Sequence, residues 1–337
     1  SLPKLGDTLG PTSPVRIAEL SDDGAVSLTL GNFDPAEPGA TVLPVSGYAV
    51  WWDAVAEPVP GQHVTRSQLV ASWSRYPSNA HKHADELGLI IWAGGGPWIS
   101  SAGYWPYASP YRDQAIAWST SNAPHFDGEP TFPDTYSELK GHLYSHQVAF
   151  MDLERDAGEG RILRRQVLRL GPGDYIAIDT AATSAGTTVV WTAANGVEVS
   201  PLDTGDDFIL ERQPGDARFV VAIRSEQGVE VSLHDGDTEP FLGWTAELRE
   251  EISVPAIRVR NDSSQWVMTR LSVTDASRST PGAGIAMSSW TDPENWTLVF
   301  DDMSRRVERR GNAIELSGDT GARGESTFSI ERPDGVA

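Results

Sequence analysis

The chain has 337 residues, no cysteine, 47 acidic against 26 basic side chains and a formal net charge of −21. Without cysteine there are no disulfides and no thiolate chemistry, and the acidity disfavours nucleic acid and anionic membrane as partners, since phosphate binding needs clustered Lys and Arg. No apolar run approaches the ~20 residues of a membrane span and the first residues do not read as a signal or transit peptide, so a soluble chain of one large β domain or two smaller ones is expected, in a compartment the sequence leaves open.

Residues 1–15 are rich in Pro, Gly and Thr and read as a linker, with the folded domain expected over 16–337. From there, short runs of period-two or continuous apolar character recur at 25–30, 48–52, 87–92, 162–170, 175–178, 188–192, 219–223, 229–233, 256–259, 266–273 and 297–300. Each predicts a strand. Turn signals such as Gly171-Pro172-Gly173-Asp174, Asn195-Gly196 and Asp235-Gly236 punctuate them. Only 134–145 reads as a possible short helix, and the polar tail from Ser317 carries a possible last strand. Many short strands with regular turns predict an all-β fold, a large antiparallel β-sandwich with few short helices. The twelve tryptophans include several in strand-like runs (Trp51, Trp52, Trp92, Trp98, Trp191, Trp266) and others in loops (Trp105, Trp118). Most are expected in the core, while an exposed loop indole would stack on a sugar ring.

Seven histidines are present: His63, His81, His83, His125, His142, His146 and His234. The conspicuous group is His81-Lys82-His83-Ala84-Asp85, ahead of an apolar run. In an extended strand His81, His83 and Asp85 share a face. Such a pair can bind a metal or place an imidazole for proton transfer. It is equally the pattern of a polar strand entrance with ordinary surface histidines.

Downstream of that run come Ala93-Gly94-Gly95-Gly96-Pro97 and then Gly103-Tyr104-Trp105-Pro106-Tyr107. This ordered set resembles the signature of heparinase II/III-like polysaccharide lyases. Leu2-Pro3-Lys4-Leu5-Gly6-Asp7, Ser46-Gly47-Tyr48-Ala49-Val50, Tyr111-Arg112-Asp113, Ser121-Asn122, Asp127-Gly128 and Arg165-Gln166-Val167-Leu168-Arg169-Leu170 through Ile178-Asp179 follow the family order as well. The likeness is densest over 40–180. It implies a helical toroid followed by an antiparallel sandwich, with an acidic polysaccharide or oligosaccharide in the cleft between them. The toroid would supply a catalytic Tyr and an Asn or His, and is expected as a partner from the same gene or a separate chain. The sandwich supplies a His, which corresponds to His81.

The implied reaction is β-elimination on a uronate. Donors neutralise the carboxylate and so stabilise the enolate-like intermediate. A base removes the C5 proton, and an acid such as Tyr protonates the oxygen leaving C4. No cofactor is needed. Substrate contacts are expected from His83, Tyr104, Trp105, Tyr107 and Arg112, since aromatic loops stack on sugars and Arg pairs with carboxylates. The anionic substrate needs a local cationic groove against the global field. Several family members hold a structural zinc through the second His of the pair, an Asp and a later His. Here these positions fall at His83, Ser101 and Ser121, and serine is a poor zinc ligand, so no metal is expected unless Asp85 or His125 rebuilds a site. Two other readings stand beside the lyase: a non-catalytic glycan-binding or scaffold sandwich, and a metal-dependent small-molecule enzyme using His81, His83 and Asp85.

Overall fold

The computed structural model describes residues 14–20, 26–32, 38–53, 67–73, 83–94, 96–131, 136–183, 185–203, 206–212, 217–247, 250–275, 284–300, 305–318 and 326–333. Its centre is an eight-stranded antiparallel sheet. In spatial order the strands are Val197–Pro201, Asp207–Arg212, Ala217–Ser225, Trp266–Asp275, Asp174–Ala181, Ile162–Gly171, Ala149–Asp156 and Tyr136–Tyr144. The hairpin joining Ile162–Gly171 to Asp174–Ala181 turns at the Gly-Pro-Gly-Asp signal, where Gly173 takes φ +66°.

This sheet is covered on both faces. Val167, Tyr175, Ala177, Phe219, Val221 and Leu271 pack into one core with Trp51, Leu69, Ile91, Trp98 and Trp191. Leu168, Ile176, Ile178 and Met268 point the other way, into a second core with Ile285, Trp296, Leu298, Phe300 and Val307. Side chains alternate faces along a strand, so strands buried on both sides read as continuous apolar runs. Two sheets cover the first face. One is a five-stranded meander of Gly39–Leu43, Tyr48–Asp53, Ser67–Ser72, Gly88–Ala93 and Gly96–Ile99. The other has four strands in the order Glu230–Asp235, Pro255–Asn261, Thr187–Thr192 and His125–Phe126, and an Ile99–Ala193 bridge links the two. The second face is covered by a C-terminal meander, Ile285–Asp292 through Ser326–Ser329.

The antiparallel all-β sandwich is thus observed. The expected helix at 134–145 is instead the strand Tyr136–Tyr144. Its buried residues Ser137, Leu139, Gly141 and Leu143 repeat every second position, the period of a strand and not of a helix. Among the described residues α-helix is confined to Arg112–Ala115, followed by a 3-10 turn at Trp118–Thr120. Residues 1–13 lie outside the described residues; Pro14–Leu20 pairs with Val26–Asn32.

Candidate active site

His81 and Lys82 lie outside the described residues, as does His63. From His83 onward the motif is not a strand, as the shared-face reading required, but a turn. Gly88 N–H donates to Asp85 C=O at 2.8 Å, and Leu87 takes φ +72° before the strand Gly88–Ala93 begins. Leu87 is nevertheless fully buried, its N–H donating to Ser72 C=O at 2.7 Å. His83 and Asp85 nevertheless both line one cavity of about 120 Å³.

Ser101, Ser121 and Asn122 line the same cavity. Asn122 acts as a surrogate strand: Leu89 N–H donates to its Oδ1 at 2.7 Å, and its Nδ2 donates to Leu89 C=O at 2.6 Å. The three positions matching the family's zinc ligands therefore converge in space, yet the donor set does not fit zinc. Two of the three are neutral hydroxyls, and each is used within its own loop. Ser101 Oγ accepts from Gly103 N–H at 3.3 Å and Ser121 Oγ from Ala123 N–H at 3.1 Å. His83 and Asp85 alone give two ligands where a structural site needs four, and the described residues hold no group of three or more His, Cys, Asp or Glu placed for a metal. His125 does not complete the set. It lies in a separate cavity, with Nδ1–H donating to Ala123 C=O at 3.0 Å, and burial lowers its pKa from 6.5 to about 4.

The segment 103–112 runs between two walls of the first cavity, Ser101-Ala102 before it and Ala115-Ile116 after it. Gly103 begins it with φ +73°, its Cα so close to Ala246 that a Cβ would sit 2.3 Å from the carbonyl oxygen. That close approach explains the glycine. Tyr104 and Tyr107 are 52% and 58% exposed, edge to face at 6.3 Å, and the Arg112 guanidinium lies 4.6 Å over the Tyr107 ring. These three expected contacts share an accessible surface. Trp105 does not join them, which corrects the sequence reading. It is 1% exposed, packed edge-on to Phe241, with Nε1–H donating to Ala102 C=O at 2.7 Å. Its indole belongs to a small core with Ala102, Ala115, Phe241 and Ala246. Trp118 is core too, beneath the Arg155 guanidinium at 3.8 Å. Conversely Trp92, expected inside, is 44% exposed, as are Ile90 and Tyr48 on the same sheet. Tyr48 and Ile90 border the cavity.

Two fully buried arginines position this region. Arg165 pairs with Asp179 through Nε and Nη2, both at 2.7 Å, and its Nη1 donates to Leu87 C=O at 2.9 Å and Asn122 C=O at 2.7 Å. One strand away in the same sheet, Arg155 pairs with Glu129 and donates to Pro124 C=O at 3.0 Å. The central sheet thereby holds both the turn after His83 and the loop bearing Ser121. Arg165 and Asp179 belonged to a recognised motif, but as strand residues. The signal of their role was a charge of each sign inside otherwise apolar runs, which burial tolerates only when paired.

Comparison with known proteins agrees with this architecture. Residues 35–127 match the family model described as heparinase II/III-like, C-terminal. No curated protein matches by sequence. Among solved structures, a heparinase III gene product superposes at TM-score 0.64 with 14% identity, covering 87% of this chain and 42% of that one. Heparan sulfate lyase HepC from Pedobacter heparinus superposes at 0.65 with 13% identity, covering 80% and 42%. A further heparinase III gives 0.64 at 12%, covering 90% and 44%. The chain thus spans about two-fifths of the length of the structures it matches. Residues 35–127 therefore match the heparinase II/III-like C-terminal family model, and the described residues share the β-sandwich fold of the heparinase III and heparan sulfate lyase structures.

Proposed function

We propose that this chain is the sandwich part of a polysaccharide lyase that cleaves a uronic-acid-containing polysaccharide by β-elimination, with His81 as its catalytic group. The observation that carries the reading is the placement of the His-x-His-Ala-Asp motif. It lies within the matched segment 35–127, and its second half lines a cavity whose walls Ser101-Ala102 and Ala115-Ile116 bracket, along the chain, the segment that carries Tyr104, Tyr107 and Arg112. A sugar ring can stack on the exposed tyrosines while the guanidinium pairs with a carboxylate. This supplies a local cation on a chain of net charge −21.

By the family resemblance, the chemistry also draws on groups from a helical domain. Elimination requires carboxylate neutralisation, a base and an acid together. Exposed Tyr48 and Ile90, which line the cavity, and Trp92 on the same sheet offer an apolar face for a helical domain bearing the family's Tyr and Asn or His. On this reading residues 1–337 alone are nearly inactive, because such groups act non-additively. The test is turnover of a panel of uronate polymers by the chain joined to its helical domain, followed by the ultraviolet absorbance of the unsaturated product. Exposed tyrosines would also hold a glycan without cleaving it, and binding without any absorbance change would favour that alternative.

A further inference from the structure

The edge strand Glu230–Asp235 carries a constellation far from the lyase motif in sequence. Ser232 and His234, two residues apart, leave the strand on one face. Ser232 Oγ lies 2.8 Å from His234 Nε2, and His234 Nδ1 lies 2.7 Å from Asp237 Oδ2. An ionised carboxylate only accepts hydrogen bonds. Nδ1 therefore donates to Asp237, and in the neutral ring Nε2 presents its lone pair to the Ser232 hydroxyl. Hydroxyl, imidazole and carboxylate in this order form the arrangement that activates a serine nucleophile.

The local fold produces it. Gly236, at φ +69°, turns the chain immediately after the strand, so Asp237 comes back beneath His234. A Cβ at Gly236 would stand 2.8 Å from Ser253 Cβ, so the turn needs glycine. Asp237 is held by Trp244 Nε1–H, which donates to its C=O at 2.9 Å. All three residues are half-buried, and the strand is the outermost of its sheet, leaving one side open.

Arg258 stands directly opposite Ser232 on the neighbouring strand, and residues paired in this way project to the same face. It lines a cavity of about 350 Å³ with His125, Asp127, Thr188, Pro240 and Leu242, large enough for a small organic group. Its neighbour Arg260 is engaged by Asp127, Glu230 and Asp262, whereas Arg258, in no ion pair among the described residues, acts on Asp127 only through its charge at longer range.

We propose that Ser232, His234 and Asp237 form a second, hydrolytic site for small O-acyl esters, with Arg258 as the donor to the oxyanion. Ser232 Oγ attacks the ester carbonyl carbon as its proton passes to His234 Nε2. The tetrahedral intermediate collapses, the carbon–oxygen bond to the alcohol breaks, and His234 returns the proton to the leaving oxygen. Water, deprotonated by His234, then releases the acid and restores the serine. Asp237 is a positioning residue that fixes the imidazole tautomer. This site is independent of the lyase reading, and either can fail alone.

The test treats the purified chain with a fluorophosphonate and follows intact mass and peptide maps, with p-nitrophenyl acetate hydrolysis in parallel. The site predicts one adduct, on the peptide containing Ser232. Ser232→Ala abolishes it and lowers ester turnover by about 10² or more. Asp237→Asn slows both and displaces the acid limb of the pH–rate profile, whereas Asp237→Glu restores part of the rate. Labelling of the wild type requires no variant to fold. An unlabelled Ser232 peptide, or wild-type hydrolysis by a Ser232→Ala protein of unchanged thermal melt, would overturn the proposal.

Discussion

Replacing Arg165 by Met isolates what holds the candidate site to the central sheet. The substitution removes two hydrogen bonds to Asp179 and one each to the carbonyls of Leu87 and Asn122. Asp179, whose side chain is 8% exposed, is left as an uncompensated buried carboxylate. Breaking a buried pair from one side costs about 3–5 kcal/mol, against a typical total stability of about 5–15 kcal/mol. The orphaned carbonyls add to that, less whatever water recovers. A loss of about 4 kcal/mol is expected in urea unfolding. Native-state hydrogen exchange supplies the local readout. The Leu89 amide donates to Asn122 Oδ1, so its protection should fall further than that of Val221 in the core. The double variant Arg165→Met/Asp179→Leu should be more stable than Arg165→Met alone, because it removes the stranded charge as well. A single-variant loss under about 1 kcal/mol, or a double variant less stable than the single, would refute this reasoning.

Other expectations follow from the same geometry. Trp105→Ala should cost about 3–5 kcal/mol, the usual range for emptying a buried aromatic site; a higher KM at unchanged Tm would instead return Trp105 to the substrate surface. Tyr107→Ala and Arg112→Lys should raise KM for a uronate polymer by on the order of tenfold, since each removes one recognition contact of about 1–2 kcal/mol, and wild-type KM in both would remove this patch from the site. His125 is neutral when folded, with its pKa lowered by burial to about 4. The unfolded chain protonates it near 6.5, so its contribution is complete above that pH and is lost as pH falls toward 4. At about 1.4 kcal/mol per pH unit, wild type should lose about 3 kcal/mol more than His125→Gln between pH 6.5 and 4; parallel stability curves would contradict that.

How much was legible in advance follows from what burial does to sequence pattern. The runs at 162–170 and 175–178 announced themselves because both faces of the central sheet are covered, and Gly171-Pro172-Gly173-Asp174 marked the turn between them. The strand Tyr136–Tyr144 was hidden because it is an edge, with Lys140 and His142 interleaved among its buried positions. At the candidate site, the positions picked out by motif order, His83, Ser101 and Ser121, line one cavity. Side-chain direction was not legible. Trp105 and Tyr107 lie two residues apart in one loop, yet one is core and the other exposed, because a loop lacks the fixed alternation of a strand. The Ser232, His234 and Asp237 constellation escaped notice because it depends on the turn at Gly236, which brings a residue three positions on back under the histidine.

The central claim is that His81 works in a uronate-cleaving site shared with a helical domain. The most direct measurement is the rate of ultraviolet absorbance gain from heparan sulfate, hyaluronan or alginate by the sandwich joined to that domain, as wild type, His81→Ala and His63→Ala. The account predicts unsaturated product from at least one polymer, a fall of about 10²–10⁴ for His81→Ala, and nearly unchanged turnover for His63→Ala. Wild-type rates from His81→Ala, full activity from residues 1–337 alone, or no product from any uronate polymer would contradict it.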